Sequence, residues 1–158
     1  MQLSGSCHCQ KIQFSVTSRT PYPFMLCYCT LCRKTAGSGG YAINLLGYNR
    51  TLFVNGRKHI RIYQATINGS TSEAHRHFCG FCGSGLWIWD SRWPELVHPF
   101  ASAIDTKLPR TPAYVHIMLQ FAPEWVERPQ QNSTNQLFNG YPDTSIENWH
   151  QAHGLYEE

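Results

Sequence analysis

Apolar and polar residues alternate with a period of two through much of the chain. Ile12, Phe14 and Val16 face one way while Lys11, Gln13 and Ser15 face the other, the pattern of a half-buried strand. Further strands are expected over residues 41–46, 51–54, 60–66, 73–78 and 86–89. Residues 114–121 alternate through Val115, Ile117, Leu119 and Phe121. Turn signals separate these runs at Gly37-Ser38-Gly39-Gly40, Asn55-Gly56 and Asn68-Gly69-Ser70. Asn-Gly suits a type I′ hairpin because both residues tolerate positive φ. Many short strands with frequent turns predict a mainly β, antiparallel domain.

Two short helices interrupt this pattern. One is expected over 31–36, ended by Gly37. The other lies near the carboxyl terminus, where Thr144-x-x-Glu147 has the form of a capping box and Gly154 is a stop. Ile146, Trp149 and His153 would share one face of it. Residues 128–139 are rich in Gln, Asn and Ser and read as a linker. The expected organisation is a β domain over 1–125, with 126–158 as a polar linker and a C-terminal helix packed on the same domain. There are no internal repeats.

The length, 158 residues, suggests one domain with a real core. Thirteen Lys and Arg against ten Asp and Glu give a net charge of +3. That balance is too mild to imply nucleic acid or an anionic membrane, and no partner of either kind is expected. The segment Met1-Gln2-Leu3-Ser4-Gly5-Ser6 has neither the basic region nor the apolar run of a signal peptide. No stretch approaches the roughly 18 apolar residues of a membrane span. A soluble, cytoplasmic protein with reduced thiols is expected, and there clustered cysteines favour metal over disulfides.

Seven cysteines fall in three groups: Cys7-His8-Cys9, Cys27-Tyr28-Cys29-Thr30-Leu31-Cys32 and Cys79-Gly80-Phe81-Cys82. A disulfide ladder would leave one cysteine over. Two zinc sites account for all of them. In a strand, residues i and i+2 point to the same side, so Cys7 and Cys9 can present both sulfurs while His8 points away. Cys79-x-x-Cys82 has knuckle spacing, and Gly80 and Gly83 suit its tight turn. The two pairs make a four-sulfur structural site. Cys27, Cys29 and Cys32 can wrap one metal, with histidine, carboxylate, water or substrate as fourth ligand.

Four thiolates give Zn²⁺ a formal −2 and three give −1, so the three-sulfur site keeps more Lewis acidity. Arg33 and Lys34 follow directly to offset its charge. Three sulfurs activate water less than three imidazoles would, and suit binding a thiol as thiolate for transfer to a carbon electrophile. His75 and His77 read as a neutral, solvated pair. Arg76 and Arg57-Lys58-His59 read as solvated faces, although Arg76 could counter the four-thiolate cluster. Trp87, Trp89 and Trp93 read as core rather than pocket lining.

The arrangement Gly5-Ser6-Cys7-His8-Cys9, Cys27-Tyr28-Cys29-x-x-Cys32-Arg33-Lys34 and Phe78-Cys79-Gly80-x-Cys82-Gly83-Ser84-x-Leu86 resembles the glutathione-dependent formaldehyde-activating enzyme family, which includes centromere protein V. The resemblance spans about residues 3–122 and uses every cysteine. It implies a zinc-dependent β-tent fold, with structural zinc at Cys7, Cys9, Cys79 and Cys82 and catalytic zinc at Cys27, Cys29 and Cys32. It also implies a carbon–sulfur lyase reaction that forms S-hydroxymethylglutathione from glutathione and formaldehyde. The expected partner is therefore a small-molecule thiol such as glutathione, and a homodimer is left open. The competing reading is a non-enzymatic, zinc-stabilised protein-binding module. It requires a histidine in the fourth position at Cys27, Cys29 and Cys32. Iron in the four-cysteine site is a third reading, differing in metal rather than fold.

Overall fold

Alternation becomes strand where one face can be buried. Phe14 and Val16 are buried on one strand, and Leu3 on the strand before it, while their neighbours face outward. The computed structural model describes residues 1–158. In chain order the first strands are β1 (Gln2–Ser6), β2 (Gln13–Thr17), β3 (Met25–Cys27), β4 (Ala42–Ile43), β5 (Gly47–Tyr48), β6 (Phe53–Asn55) and β7 (Ile60–Tyr63). They are followed by β8 (Thr66–Ile67), β9 (Ser70–Thr71), β10 (Ala74–Cys79), β11 (Gly85–Asp90), β12 (Leu96–Pro99), β13 (Tyr114–Ile117) and β14 (Asn135–Leu137). The helices are α1 (Thr30–Ala36) and α2 (Ile146–Ala152). The architecture is mainly β, with 35% strand and 16% helix.

Three antiparallel strands, β1-β2-β6, form one sheet, and β5-β12-β11-β10-β7 form an antiparallel second. The third, β14-β13-β3-β4, is mixed: β13 runs parallel to both β14 and β3. Strands β8 and β9 make a small hairpin across Asn68-Gly69, whose φ values of 50° and 81° are those of a primed turn. Single bridges from Gly5 to Ile104, Thr20 to Leu46 and Asn44 to Phe100 tie the sheets together.

Several elements depart from the alternation. Asn55-Gly56 closes no hairpin: Gly56 has φ 78° and leads into a 3-10 turn, Arg57–His59, that carries the chain to another sheet. The run over 114–121 ends at Ile117 because Met118 is left-handed, at φ 61°. Leu119 and Phe121 belong to a 3-10 turn, and Leu119 joins a small apolar cluster with Leu26 and Tyr28. The segment read as linker contains β14, an edge strand that contributes backbone pairing and little apolar burial. The N-cap of α2 is Ser145, one residue later than expected; its hydroxyl accepts from the Asn148 N–H at 3.1 Å.

The main core gathers Leu3, Phe14, Val16, Leu86, Val97 and Val115 with Cys7, Cys27, Cys32 and Cys79. Helix α2 enters it through Trp149, stacked on Phe24 at 3.7 Å between ring centroids. His150 donates from Nδ1 to the Ile146 carbonyl at 2.7 Å and accepts at Nε2 from the Tyr22 N–H at 3.2 Å. The chain's two ends meet where the Met1 ammonium pairs with Glu157.

Candidate metal centres

All seven cysteines are free thiols, and they converge as two sets. Cys7 and Cys9 lie past the end of β1, in the turn to β2, so their sulfurs are gathered by a reversal and not by strand geometry. The Gln10 N–H donates to the Cys7 carbonyl at 2.9 Å with Gln10 at φ 61°, and the Cys7 N–H donates to the Ile12 carbonyl at 3.0 Å. Cys79 and Cys82 form a similar turn between β10 and β11. There the Gly83 N–H donates to the Cys79 carbonyl at 2.9 Å with φ 76°, a left-handed position suited to glycine.

Backbone donors hold the sulfurs of this set: the Ile12 N–H reaches Cys7 Sγ at 3.3 Å and the Phe81 N–H reaches Cys79 Sγ at 3.4 Å. Ser84 bridges the two turns, its hydroxyl accepting from the His8 N–H at 3.1 Å and donating to Cys82 Sγ at 3.2 Å. That donation lowers the Cys82 pKa to about 5. Cys7 Sγ lies 3.5 Å from Cys9 Sγ, which lies 3.8 Å from Cys79 Sγ. Four sulfurs at about 2.3 Å from a tetrahedral zinc are about 3.8 Å apart, so the donor set fits that ion.

The second set sits where β3 gives way to α1. Cys27 ends β3, held between Ile117 of β13 and Ala42 of β4. Cys29 caps α1, its sulfur accepting the Cys32 N–H at 3.3 Å, and Cys32 points inward from the first turn. The three sulfurs lie within 4.8 Å of one another, and no histidine or carboxylate joins them at that distance. Thiol donation from Cys27 and Cys32 pulls the Cys29 pKa down, helped by the Cys32 N–H and the charge of Arg76. Three soft donors on a buried wall fit zinc with one coordination position not supplied by the protein.

Arg76 belongs here and not at the four-sulfur set. Only 8% exposed, it reaches Cys32 Sγ with Nη1 at 4.0 Å. A buried guanidinium beside thiolates offsets their charge where water cannot. Arg33 and Lys34 do not serve that purpose; they line a separate polar cleft with Ser84 and Asp105. His75 and His77 turn to Trp89 and Trp87, with ring centroids 5.2 and 5.1 Å apart, and lie outside both sulfur sets. Burial lowers the His77 pKa to about 4, so it is neutral but not solvated. Trp87 is core, packed on Phe14, whereas Trp89 lines a shallow cleft and Trp93 is exposed.

Two groups near the three-sulfur set carried no sequence signal. Tyr28, between Cys27 and Cys29, buries its side chain on the other face of the strand, where its hydroxyl meets His116 Nδ1 at 3.0 Å. Burial raises its pKa to about 12. Tyr141 comes from the far end of the chain. The Met118 N–H donates to the Gly140 carbonyl at 3.0 Å, as the Tyr28 N–H does to the Ile117 carbonyl. Residue 140 thus runs beside the strand next to Cys27. Partial desolvation of the Tyr141 hydroxyl and the charge of Cys27, Cys29 and Cys32 raise its pKa, although the residue as a whole is exposed.

The mainly β domain thus carries a four-sulfur and a three-sulfur set, each of which could hold a metal ion through thiolates. Residues 2–120 match the family described as glutathione-dependent formaldehyde-activating enzyme, and the chain belongs to that family. A Halomonas elongata protein named "Putative glutathione-dependent formaldehyde-activating enzyme" is 58% identical over 157 residues, covering 99% of each chain. The crystal structure of a Rhodobacter sphaeroides protein superposes with a TM-score of 0.52 at 22% identity, covering 70% of this chain and 100% of that one, a likeness of fold. Tyr141 and α2 lie beyond the family-matched residues. No helix is long and apolar enough to cross a membrane.

Proposed function

We propose that the chain is a zinc-dependent carbon–sulfur lyase that joins a thiol to formaldehyde, with glutathione as the thiol and S-hydroxymethylglutathione as the adduct. Cys7, Cys9, Cys79 and Cys82 hold a structural zinc, and Cys27, Cys29 and Cys32 hold a catalytic one, two per chain. The observation that carries this reading is the three-sulfur set beside a buried arginine, with no fourth protein donor within 4.8 Å. A binding module with two structural zincs needs a histidine there, and none approaches. The family and the Halomonas relative's name support glutathione and formaldehyde as the reactant class. Residues 1–125 would form the zinc-binding β domain and 126–158 a segment packed on it. Free thiols in both sets suit a reducing, cytoplasmic setting.

Zinc bound there by three sulfurs would supply one coordination position at which a thiol is held as thiolate. The chain's own residues do the rest. Arg76 counters the negative charge of the three cysteines and of an incoming fourth sulfur. Attack of that sulfur on the carbonyl carbon forms the C–S bond and moves the π pair onto oxygen. The Tyr141 hydroxyl, which already feels the charge of the three cysteines, would donate a hydrogen bond to that oxygen, which takes up the proton the thiol gave up, so RSH and H₂CO give RSCH₂OH. The reverse path returns the aldehyde.

Exchange spectroscopy with ¹³C-formaldehyde and glutathione tests the reading. Zinc-loaded protein should speed interconversion at least about tenfold over buffer, and Cys29→Ala should abolish the gain. A rate equal to buffer with both zincs bound would overturn it.

A further inference from the structure

Tyr28 stands between Cys27 and Cys29, and the chemistry above makes no use of its side chain. Cys27 and Ile117 pack into the main core, while Leu26 and Tyr28 pack into the small cluster on the other face of the sheet. His116 pairs with Leu26 across β13 and β3, and its ring meets Tyr28 on that second face. Both residues are buried, Tyr28 at 2% and His116 at 6% exposure. Their polar atoms form a chain with one consistent direction. The Asn135 amide oxygen only accepts, so His116 Nε2, 3.4 Å away, carries the hydrogen. His116 Nδ1 is then the acceptor for the Tyr28 hydroxyl at 3.0 Å. Asn135 is held in turn: its Nδ2 donates to the Gln130 carbonyl at 3.3 Å and its N–H to Asn132 Oδ1 at 2.8 Å.

From this chain we infer that Tyr28 is a positioning residue. Through His116 and Asn135, the C-terminal segment fixes the directions in which Cys27 and Cys29 present their sulfurs. The peptide units on either side of Tyr28 carry those two cysteines. The Tyr28 N–H donates to the Ile117 carbonyl at 3.0 Å, which pins the backbone at one point. One backbone bond leaves rotation about it free, and the hydroxyl anchored on the far face removes that rotation. Cys27 and Cys29 then converge on the opposite side, their sulfurs within 4.8 Å. Ligands need placing to about 0.5 Å, and supporting hydrogen bonds of this kind supply that precision. Asn135 and Gln130 lie beyond the family-matched residues 2–120, so the anchor comes from outside the part that carries the sulfurs. The inference rests on a metal at Cys27, Cys29 and Cys32, as proposed above.

Cadmium-113 NMR tests this apart from catalysis, because the shift of each bound ion reports the sulfur geometry of its own site. Cadmium-loaded protein should give two resonances, and the one missing in Cys29→Ala marks the three-sulfur set. Tyr28→Phe, which keeps the ring and removes the hydroxyl, should move that resonance and leave the other in place. Asn135→Leu, on the edge strand, should move the same resonance, whereas Asn135→Asp keeps the acceptor and should leave it near the wild-type position. Tyr28→Phe and Asn135→Leu should also weaken zinc binding at that set about tenfold in chelator competition. Two wild-type resonances that neither of these variants moves would overturn the inference alone. So would displacement of both resonances together, the mark of a general loss of packing, or a shift in Asn135→Asp as large as in Asn135→Leu. A single wild-type resonance would overturn the two-metal reading, and this inference with it.

Discussion

Truncating Trp149 tests whether the C-terminal segment belongs to the folded unit or lies loosely on it. The indole is 3% exposed, stacked on Phe24 at 3.7 Å with an interplanar angle of 4°, and covered on its other side by His153 at 4.1 Å. Burying about 150–250 Å² of aromatic surface at about 25 cal/mol per Å² amounts to about 4–6 kcal/mol, an upper bound. Measured Trp→Ala losses in cores run about 3–5 kcal/mol. Trp149→Ala should therefore lose about 3–5 kcal/mol. The indole N–H has no partner in its buried position and already costs the wild type about 1–3 kcal/mol. Trp149→Phe keeps a ring on Phe24 and removes that orphan, so it should lose less than about 2 kcal/mol. Urea unfolding followed by far-ultraviolet circular dichroism, in zinc-saturated buffer so that metal linkage is constant, measures both. A Trp149→Ala loss below about 1 kcal/mol at unchanged m-value would mean that α2 is not docked. Trp149→Phe as damaging as Trp149→Ala would mean that the ring stack is not what holds it.

Metal analysis should find two zincs in the wild type and one in Cys29→Ala, which stays folded; Cys79→Ala should unfold, because structural-zinc binding is folding energy. Equal melting of the two variants would remove the division between the sites. Arg76→Leu should weaken zinc binding at Cys27, Cys29 and Cys32 about 10–100-fold in chelator competition and leave the other site unchanged; an effect on both would refute its assignment. Tyr141→Phe should slow adduct interconversion about tenfold or more without changing thermal stability, and a rate within twofold of wild type would exclude the hydroxyl as donor. Burial lowers the pKa of His150, as it does that of His98 and His116, and takes His77 to about 4. Their folded pKa values lie below the unfolded value of about 6.5, so the stability they contribute is whole above that pH and lost as pH falls through it. The slope of urea stability between pH 7 and 5 should flatten in His150→Gln; an unchanged slope would show that the Tyr22–His150 contact does not titrate with folding.

What was legible in the sequence was whatever had a local cause. Cys79-x-x-Cys82 with Gly83 is a turn that needs a left-handed residue, and the structure has one there. Period-two alternation marked β2, β10 and β11 to within two residues at each end. Alternation missed β3, whose three residues are all buried, because a strand covered on both faces loses its period. It missed β14 for the opposite reason, since an edge strand can pair through its backbone alone. The grouping of Cys7 and Cys9 was visible, but the assumed strand was wrong: β1 ends at Ser6 and the pair sits in the reversal that follows. The partners of the three-sulfur set were invisible for a different reason. Arg76 is 44 residues from Cys32, and Tyr141 arrives through the bond from the Met118 N–H to the carbonyl of its neighbour Gly140; neither relation leaves a spacing to read.

The two sulfur sets are joined mechanically through β10. That strand ends at Cys79, a ligand of the four-sulfur set, and carries Arg76 three residues earlier to the other. Its pairing with β11 is irregular, with a bulge between His77 and Phe78, so ladder hydrogen bonds alone specify its register weakly. A slip of one residue would turn Arg76 toward Trp87 and Trp89 and aim His75 or His77 at the cysteines. Anchoring Cys79, buried and paired through its sulfur to Cys9, removes that freedom. The four-sulfur site then acts on the chemistry without touching it, by fixing which side chain of β10 faces Cys32. A variant that loosens it while sparing the fold, such as Ser84→Ala at the bridge between the two turns, should weaken zinc binding at both sites, whereas Arg76→Leu weakens one.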